Sequence, residues 1–471
     1  MRKEVIMDLV RKFEKKKCLR EIVSFVIISS IIFFGQMYIN IGYEQYFWDC
    51  SLYHNYGCEL FSSGRYDLHT LTSGFRGYIF PSLLGFSSYV DGILGLNCVM
   101  LKVFTSLIYG FFFSYLISRL TDLLYNNQKL IVFRIINLIV VGFFFWGLFI
   151  YPLTDMLGVV LCTTSVILLL EVIKDRENRY INCVKIFFGG LFAYAAYNVR
   201  SIYLFAVIVM FFGIAICMYK DMKRLLISEI LFMLGILVCS IPQIIINKNL
   251  LNIYSIMLPT ENLMLAQLNW GMQYQKYETY VGSAYESPAL VFWDYAGEGL
   301  VENMFPINSF KDYLCRVLRY PFDFLGIYAR HFVNMFLPIY PEQYIYNLEK
   351  NRSIYVFLNY VVLFIFGTDK VQKIKCANIN FDKAKTIGLL ALLFPSIAIL
   401  PGALEQRFSL MMYILIIVNL VYGINYKEYF QNIKNKWKEY LFAFIFMFVV
   451  LLAIWGNTLS CLQFSNIIIG Y

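Results

Sequence analysis

The sequence predicts an all-α polytopic membrane protein with about 11 (10–13) transmembrane helices, on three observations. Hydrophobic residues make up 59% of the 471 and charged residues 15%, against roughly 25% charged in an ordinary soluble domain. Several apolar runs reach the roughly 20 residues that a helix needs to cross a bilayer. The basic residues collect in short links between those runs, which is the positive-inside pattern of membrane topology and explains the net charge of +9 without nucleic acid.

In chain order, the N-terminal segment MRKEVIMDLVRKFEKKKCLR is basic, with Val5, Ile6, Leu9, Val10 and Phe13 at helical spacing, so an interfacial helix on the cytoplasmic face is expected. The run 22–41 is too long for a signal-peptide core and lacks a small-residue cleavage site, so it reads as an uncleaved first span. The later spans fall at 96–118, 130–150, 153–173, 183–199, 201–218, 226–246, 354–367, 386–402, 407–424 and 440–460. The stretch 326–340 is apolar enough for a further half-buried or membrane-resting helix.

An inside N-terminus places the basic clusters around Arg119–Lys129, Lys174–Lys185, Lys220–Arg224, Lys370–Lys385 and Lys427–Lys438 on one side. The extracytoplasmic face then receives two large loops, 42–95 and about 248–353, and tight turns carrying Asp155, Arg200 and Glu405 with Arg407. Long loops are usually functional or form small domains. The chain divides accordingly into an N-terminal transmembrane module (1–247) with its outer loop, an extracytoplasmic loop or small domain (248–353), and C-terminal transmembrane helices (354–471).

The first outer loop concentrates Asp49, His54, His69, Arg65, Arg76 and many tyrosines. An acid just beyond a span, flanked by Phe47 and Trp48, is a candidate general base; an interfacial acid among belt aromatics is the plainer reading. Asp155 follows Tyr151-Pro152, which is an ordinary helix-start signal, but ionisable groups at membrane depth usually face a cavity. Arg76, Arg200 and Arg407 lie on the face that the topology rule leaves poor in cations. Guanidinium suits bidentate capture of phosphate oxygens, whereas Glu405 offers Arg407 a local salt bridge instead. Tyr53 and His54 are further candidate substrate contacts, since aromatic side chains stack on sugar rings.

No metal-ligand spacing is present. Asp49, Glu59 and His54 are the residue types from which a divalent ion site would be built, and no cofactor is expected otherwise. Of the eleven cysteines, Cys50 and Cys58 share the first loop and are the pair available for a disulfide. Walker, dinucleotide-binding and nucleophile-elbow motifs are lacking. A substrate already activated and reached from the outer face, such as a lipid-phosphate-linked sugar, meets these conditions.

The order W-D-C-S-L-Y, G-R-Y, R-G-Y-I-F-P in the first loop, Y-P-L-T-D-M-L-G at 151–158 and E-Q-R-F at 405–408 resembles the C-type-fold (GT-C) membrane glycosyltransferase superfamily, which includes protein O-mannosyltransferases and aminoarabinose transferases. The resemblance implies inverting transfer from a polyprenyl-phosphate sugar to a glycan, lipid or protein acceptor. Asp49 would be the base, Asp155 would orient the acceptor or loop, and Arg407, Arg200 or Arg76 would hold the leaving phosphate. It further implies residence in a plasma membrane; the Ile, Lys, Asn, Phe and Tyr bias suggests a bacterium. Many relatives carry Asp-Glu where this chain has Asp49-Cys50. Two other readings compete: an O-antigen-type polymerase or ligase, whose key residues would be Arg316, Arg319, Arg330 and His331 in the later loop, and a transporter or lipid flippase, which would need midplane charge.

Overall fold

The computed structural model describes residues 17–40, 46–74, 76–125, 130–175, 179–281, 288–297, 306–337, 339–348, 350–376, 382–463 and 465–469. The expected N-terminal interfacial helix falls largely on 1–16, outside the described residues. The molecule is 79% helical, and each segment expected to span is a helix.

The helices are α1 Lys17–Ile39, α2 Trp48–Leu60, α3 Ile79–Leu94, α4 Val99–Tyr125, α5 Ile131–Phe145, α6 Thr154–Lys174, α7 Arg179–Val199, α8 Leu204–Met218 and α9 Met222–Leu251. They continue with α10 Glu261–Gln273, α11 Phe310–Arg319, α12 Pro321–Asn334, α13 Ser353–Cys376, α14 Lys383–Ala398, α15 Leu410–Val418, α16 Tyr426–Asn435 and α17 Trp437–Gln463. Among the described residues, eight helical segments are long and apolar enough to cross a bilayer, and Ile79–Leu94 and Ile131–Phe145 are shorter apolar helices. A protein whose helices carry exposed Phe, Ile and Leu over their outer surface, such as Phe34, Phe212, Ile230 and Phe448, is solvated by lipid rather than water.

The bundle core is made where apolar and small residues interlock, above all α7 against α6 and α9, α8 against α14, and α1 against α4. The buried charge on α5 is paired. Arg134 on α5, fully buried, donates to Glu21 at 2.5 and 2.9 Å, to Ser24 Oγ and to the Ser114 carbonyl. An unpaired guanidinium at such a place would cost several kcal/mol, on the order of 3–5.

The two outer segments are not irregular loops. Residues 42–95 form α2 and α3, which pack so closely that a Cβ on Gly57 would meet the backbone of Gly85, and the reverse. Within 248–353 lie α10, α11 and α12 and three strands of a four-stranded sheet in the order β3-β1-β2-β4. Here β1 is Tyr274–Tyr280, β2 Pro288–Trp293, β3 Tyr344–Ile345 and β4 Ser465–Ile469. β1 and β2 are antiparallel, β1 and β3 parallel, and β4 is antiparallel to β2. The C-terminal segment is therefore more than transmembrane helix: once α17 has crossed, the chain adds a strand to the sheet. This pairing also fixes the far end of α17 on the sheet side of the bundle. The ends carrying Lys174, Lys220, Arg224 and Lys385 lie at the other side, where Arg224 reaches the carbonyls of Val172 and Asp175.

Candidate functional site

At the sheet side, five helix starts and turns bring together most of the charged residues singled out above. Asp49 sits in the first turn of α2, directly after Trp48, whose φ of 45° is left-handed. A bulky residue rarely adopts that conformation.

Both carboxylate oxygens of Asp49 are occupied. Arg76 Nη2 donates to Oδ1 at 2.6 Å and Arg407 Nη2 donates to Oδ2 at 2.9 Å. Arg407 also lies against Glu405 and, through Nη1, 3.9 Å from Asp155 Oδ2. Asp155, at the start of α6, is in turn gripped by Arg200, the residue after α7. Three guanidiniums thus interleave with three carboxylates, and their formal charges cancel. Asp155 and Glu405 are each 2% exposed, but Asp49 is 19% exposed and is the accessible acid of the set. Burial pushes the Asp49 carboxyl up, but Arg76, Arg407 and Arg200 together outweigh it and hold the group below the usual aspartate range. It is therefore ionised at neutral pH.

Arg76 owes its position to amides. Gly77 has φ 69°, and a Cβ there would collide with the Asn198 backbone, so only glycine permits this approach. Asn198 Oδ1 accepts from the backbone N–H groups of Tyr78 and Ile79, both at 3.0 Å, and so caps α3. Its Nδ2 donates to Gln243 Oε1, and Gln243 Nε2 donates to the Gly74 carbonyl and to Asn247 Oδ1. Asn247 Nδ2 then donates to the carbonyls of Ser255 and Met257. This amide ladder, buried among α7 and α9, ties the Arg76 segment to α7, which Arg200 directly follows.

The sheet covers the cluster. Tyr344 of β3 donates to the Phe47 carbonyl at 3.0 Å, and its hydroxyl lies 3.0 Å from Cys50 Sγ. Tyr277 of β1 bonds Glu405, and burial followed by the Glu405 charge drives its hydroxyl pKa well up, so it remains a neutral phenol. The backbone N–H of Tyr277 donates to the Leu404 carbonyl.

A cleft of ≈ 320 Å³, counting the open solvent within it, is lined by Asp155, Arg200, Tyr203, Ser396, Arg407 and Phe408 among others. The Arg200 guanidinium stacks 4.6 Å from the Phe408 ring. Farther along α6, α8 and α14 lies a second cleft of ≈ 260 Å³, lined by Leu170, Met210, Ile214, Ile387 and Ala391 and otherwise only apolar residues and glycine.

Among the expected site residues, Asp49, Asp155, Arg76, Arg200, Glu405 and Arg407 are drawn into one cluster. Tyr53 joins it from beneath, its ring 5.6 Å from the Arg76 guanidinium. His54 points elsewhere: its ring stacks on Tyr46 at 4.4 Å, and its nitrogens lie 3.8 Å from Cys58 Sγ. The disulfide expectation is corrected. Cys50 and Cys58 are both free, one buried and one exposed, and eight residues along one helix separate them by about 12 Å, beyond the roughly 7 Å a bridge tolerates. Nor do Asp49, Glu59 and His54 converge; Glu59 accepts from the Thr72 backbone and hydroxyl. Among the described residues, no group of three or more His, Cys, Asp or Glu is arranged to hold a metal ion. Sequence reasoning missed Tyr277, Tyr344 and the amide ladder. Neither strand tyrosines nor helix amides stand out in a chain with 37 tyrosines.

Searched against family models, curated proteins and solved structures, the chain matches none of them.

Proposed function

We propose that the chain is a membrane glycosyltransferase of the GT-C type. In this reading it moves a sugar from a polyprenyl-phosphate donor to an acceptor hydroxyl on the extracytoplasmic face. The observation that carries the reading is the ionised, partly accessible Asp49 held between two arginines, one of which lines a charged cleft, with a separate, wholly apolar cleft farther along the same helices. A lipid phosphate needs both surroundings: guanidinium for its oxygens and an apolar seam for its chain.

The phosphodiester brings one negative charge to a cluster that is already balanced. Asp49 is the most exposed of the three acids, so it is the one that yields its arginine contacts. Arg76 and Arg407 turn to the phosphate, and the freed carboxylate takes the proton from the acceptor hydroxyl. The acceptor oxygen bonds to the anomeric carbon from the face opposite the phosphate. The carbon–oxygen bond to the phosphate breaks, its electron pair leaves with the polyprenyl phosphate, and the configuration inverts. Fixed guanidiniums that meet this charge contribute on the order of several kcal/mol to the barrier. Asp155 and Glu405 hold Arg200 and Arg407, so they act on the substrate through those arginines.

The extracytoplasmic assignment rests on charge. Lys174, Lys220, Lys223, Arg224, Lys383 and Lys385 fall at the end of the bundle opposite the cluster, as expected of the cytoplasmic side. The polymerase reading finds less support: Arg316 is paired with Asp312, Arg330 with Asp294, the His331 ring lies between the carbonyls of Leu400 and Tyr274, and neither these nor Arg319 line the charged cleft.

Membranes containing the protein, given a labelled polyprenyl-phosphate sugar and an envelope fraction as acceptor, should consume the donor and yield a glycan, lipid or protein heavier by one sugar. Unchanged donor across a panel of hexosyl and pentosyl phosphates would reject the proposal.

A further inference from the structure

Helices α11 and α12 form a hairpin about Tyr320, joined by Tyr313 and Tyr328, whose hydroxyls touch, and by Phe324 packed edge-on to Tyr313 at 5.6 Å. Their shared inner face is buried: Tyr313, Phe324, Ile327 and His331. Their other face is not. Leu314, Leu318, Phe322 and Leu325 are 60%, 81%, 84% and 62% exposed. Leu314 and Leu318 lie four residues apart on α11, and Phe322 and Leu325 three apart on α12, so each helix turns an apolar pair away from the buried inner face as a stripe. In water such a stripe is a liability that monomeric proteins avoid.

Two observations say what covers it. Asn457 on α17, at the end of a segment apolar enough to span, donates to Asn334 Oδ1 of α12 at 2.9 Å. This bond places α12 beside the sheet-side part of the apolar segment Tyr440–Asn457. Next to it, α17 presents Leu452, Trp455 and Leu459, about half exposed, and α12 presents Phe332, so the apolar surface passes from span to hairpin. Exposed Lys311 and Arg319 flank the stripe on α11, the arrangement of helices that lie in the interface with their cations toward headgroups.

We infer that the α11–α12 hairpin rests in the bilayer, with Leu314, Leu318, Phe322 and Leu325 sunk at the boundary of headgroup and acyl chain. The partner is lipid, not a second copy of the chain. Of the two readings of 326–340, the half-buried one holds, since Ile327, His331 and Asn334 are buried in protein; the membrane-resting surface lies at residues 314–325. The inference is independent of the reaction proposed above.

Nitroxide labels on Leu318→Cys and Phe322→Cys test it, each in a background without reactive cysteines and in nanodiscs of neutral phospholipid with one chain per disc. At these exposures the substitutions remove little packing, and two positions guard against one bad site. Both labels should collide more with oxygen than with a water-soluble nickel chelate, whereas a label on Asn308→Cys, exposed before α11, should show the reverse. Aqueous accessibility at both 318 and 322 overturns the inference. So does lipid-like accessibility that appears only when two chains share a disc and is accompanied by spin–spin broadening, since a second copy then covers the stripe.

Discussion

Arg407 Nη2 donates to Asp49 Oδ2 at 2.9 Å across 358 residues of sequence. The bond joins the start of the first extramembrane helix to the entry of a late span. Arg407 also contacts Glu405 and Asp155, so a single guanidinium links three acids from three parts of the chain.

Replacing Arg407 with alanine therefore leaves buried carboxylates uncompensated. The expected loss is roughly 3–5 kcal/mol of stability, read as a large fall in the thermal unfolding midpoint in detergent. Arg407→Lys keeps the charge but not the fork. It should fold, with a KM for donor raised about tenfold or more; an unchanged KM would remove Arg407 from donor binding.

Asn198→Ala deletes the cap of α3 and leaves the Tyr78 and Ile79 N–H groups and the Gln243 amide without it. A cost of about 1–3 kcal/mol is expected from the unsatisfied groups. Because the Arg76 segment loosens while Asp49 is untouched, the donor KM should rise more than kcat falls. Equal losses in both would mean that the ladder supports the fold only.

The Asp49 pKa is lowered on folding. A lowered carboxylate stabilises the native state fully above its unfolded value of about 3.9 and loses that contribution as pH falls through the folded value. Transfer should accordingly show no titration of this base between about pH 5 and 8. The acid sensitivity of stability should lessen in Asp49→Asn. A base limb near neutrality that disappears in that variant would show the carboxylate to be raised instead.

Cys58 is exposed and free, Cys50 buried and Cys18 exposed at the far end of α1. With the proposed orientation, a membrane-impermeant maleimide should label Cys58 on intact cells without reductant, leave Cys50 unlabelled, and reach Cys18 only after permeabilisation. Labelling of Cys18 in intact cells would invert the topology.

The charged members of the cluster were legible because each is a lone ion in an apolar or aromatic setting: Asp49 after Phe47-Trp48, Asp155 after Tyr151-Pro152, Arg200 between two spans, and Glu405-Arg407 before another. Such residues are costly unless partnered, so the sequence exposes them. That they partner one another, with Asp49 held by Arg76 as well, depends on helix placement that periodicity does not encode. The sheet was hidden for a different reason. β1 and β2 are short, β3 has two residues, and β4 lies about 170 residues and at least three candidate spans beyond its partner β2. His54 shared a loop with Asp49 in sequence, but one turn along α2 turns its ring toward Tyr46.

The most direct test is Asp49→Asn in proteoliposomes, measuring sugar transfer and binding of the polyprenyl-phosphate donor on the same sample. The amide is isosteric but does not accept the proton, so transfer should fall by about 10²–10⁴-fold. Donor binding should persist, because Arg76 and Arg407 no longer have a carboxylate to release. Transfer close to that of the unaltered protein would contradict the account.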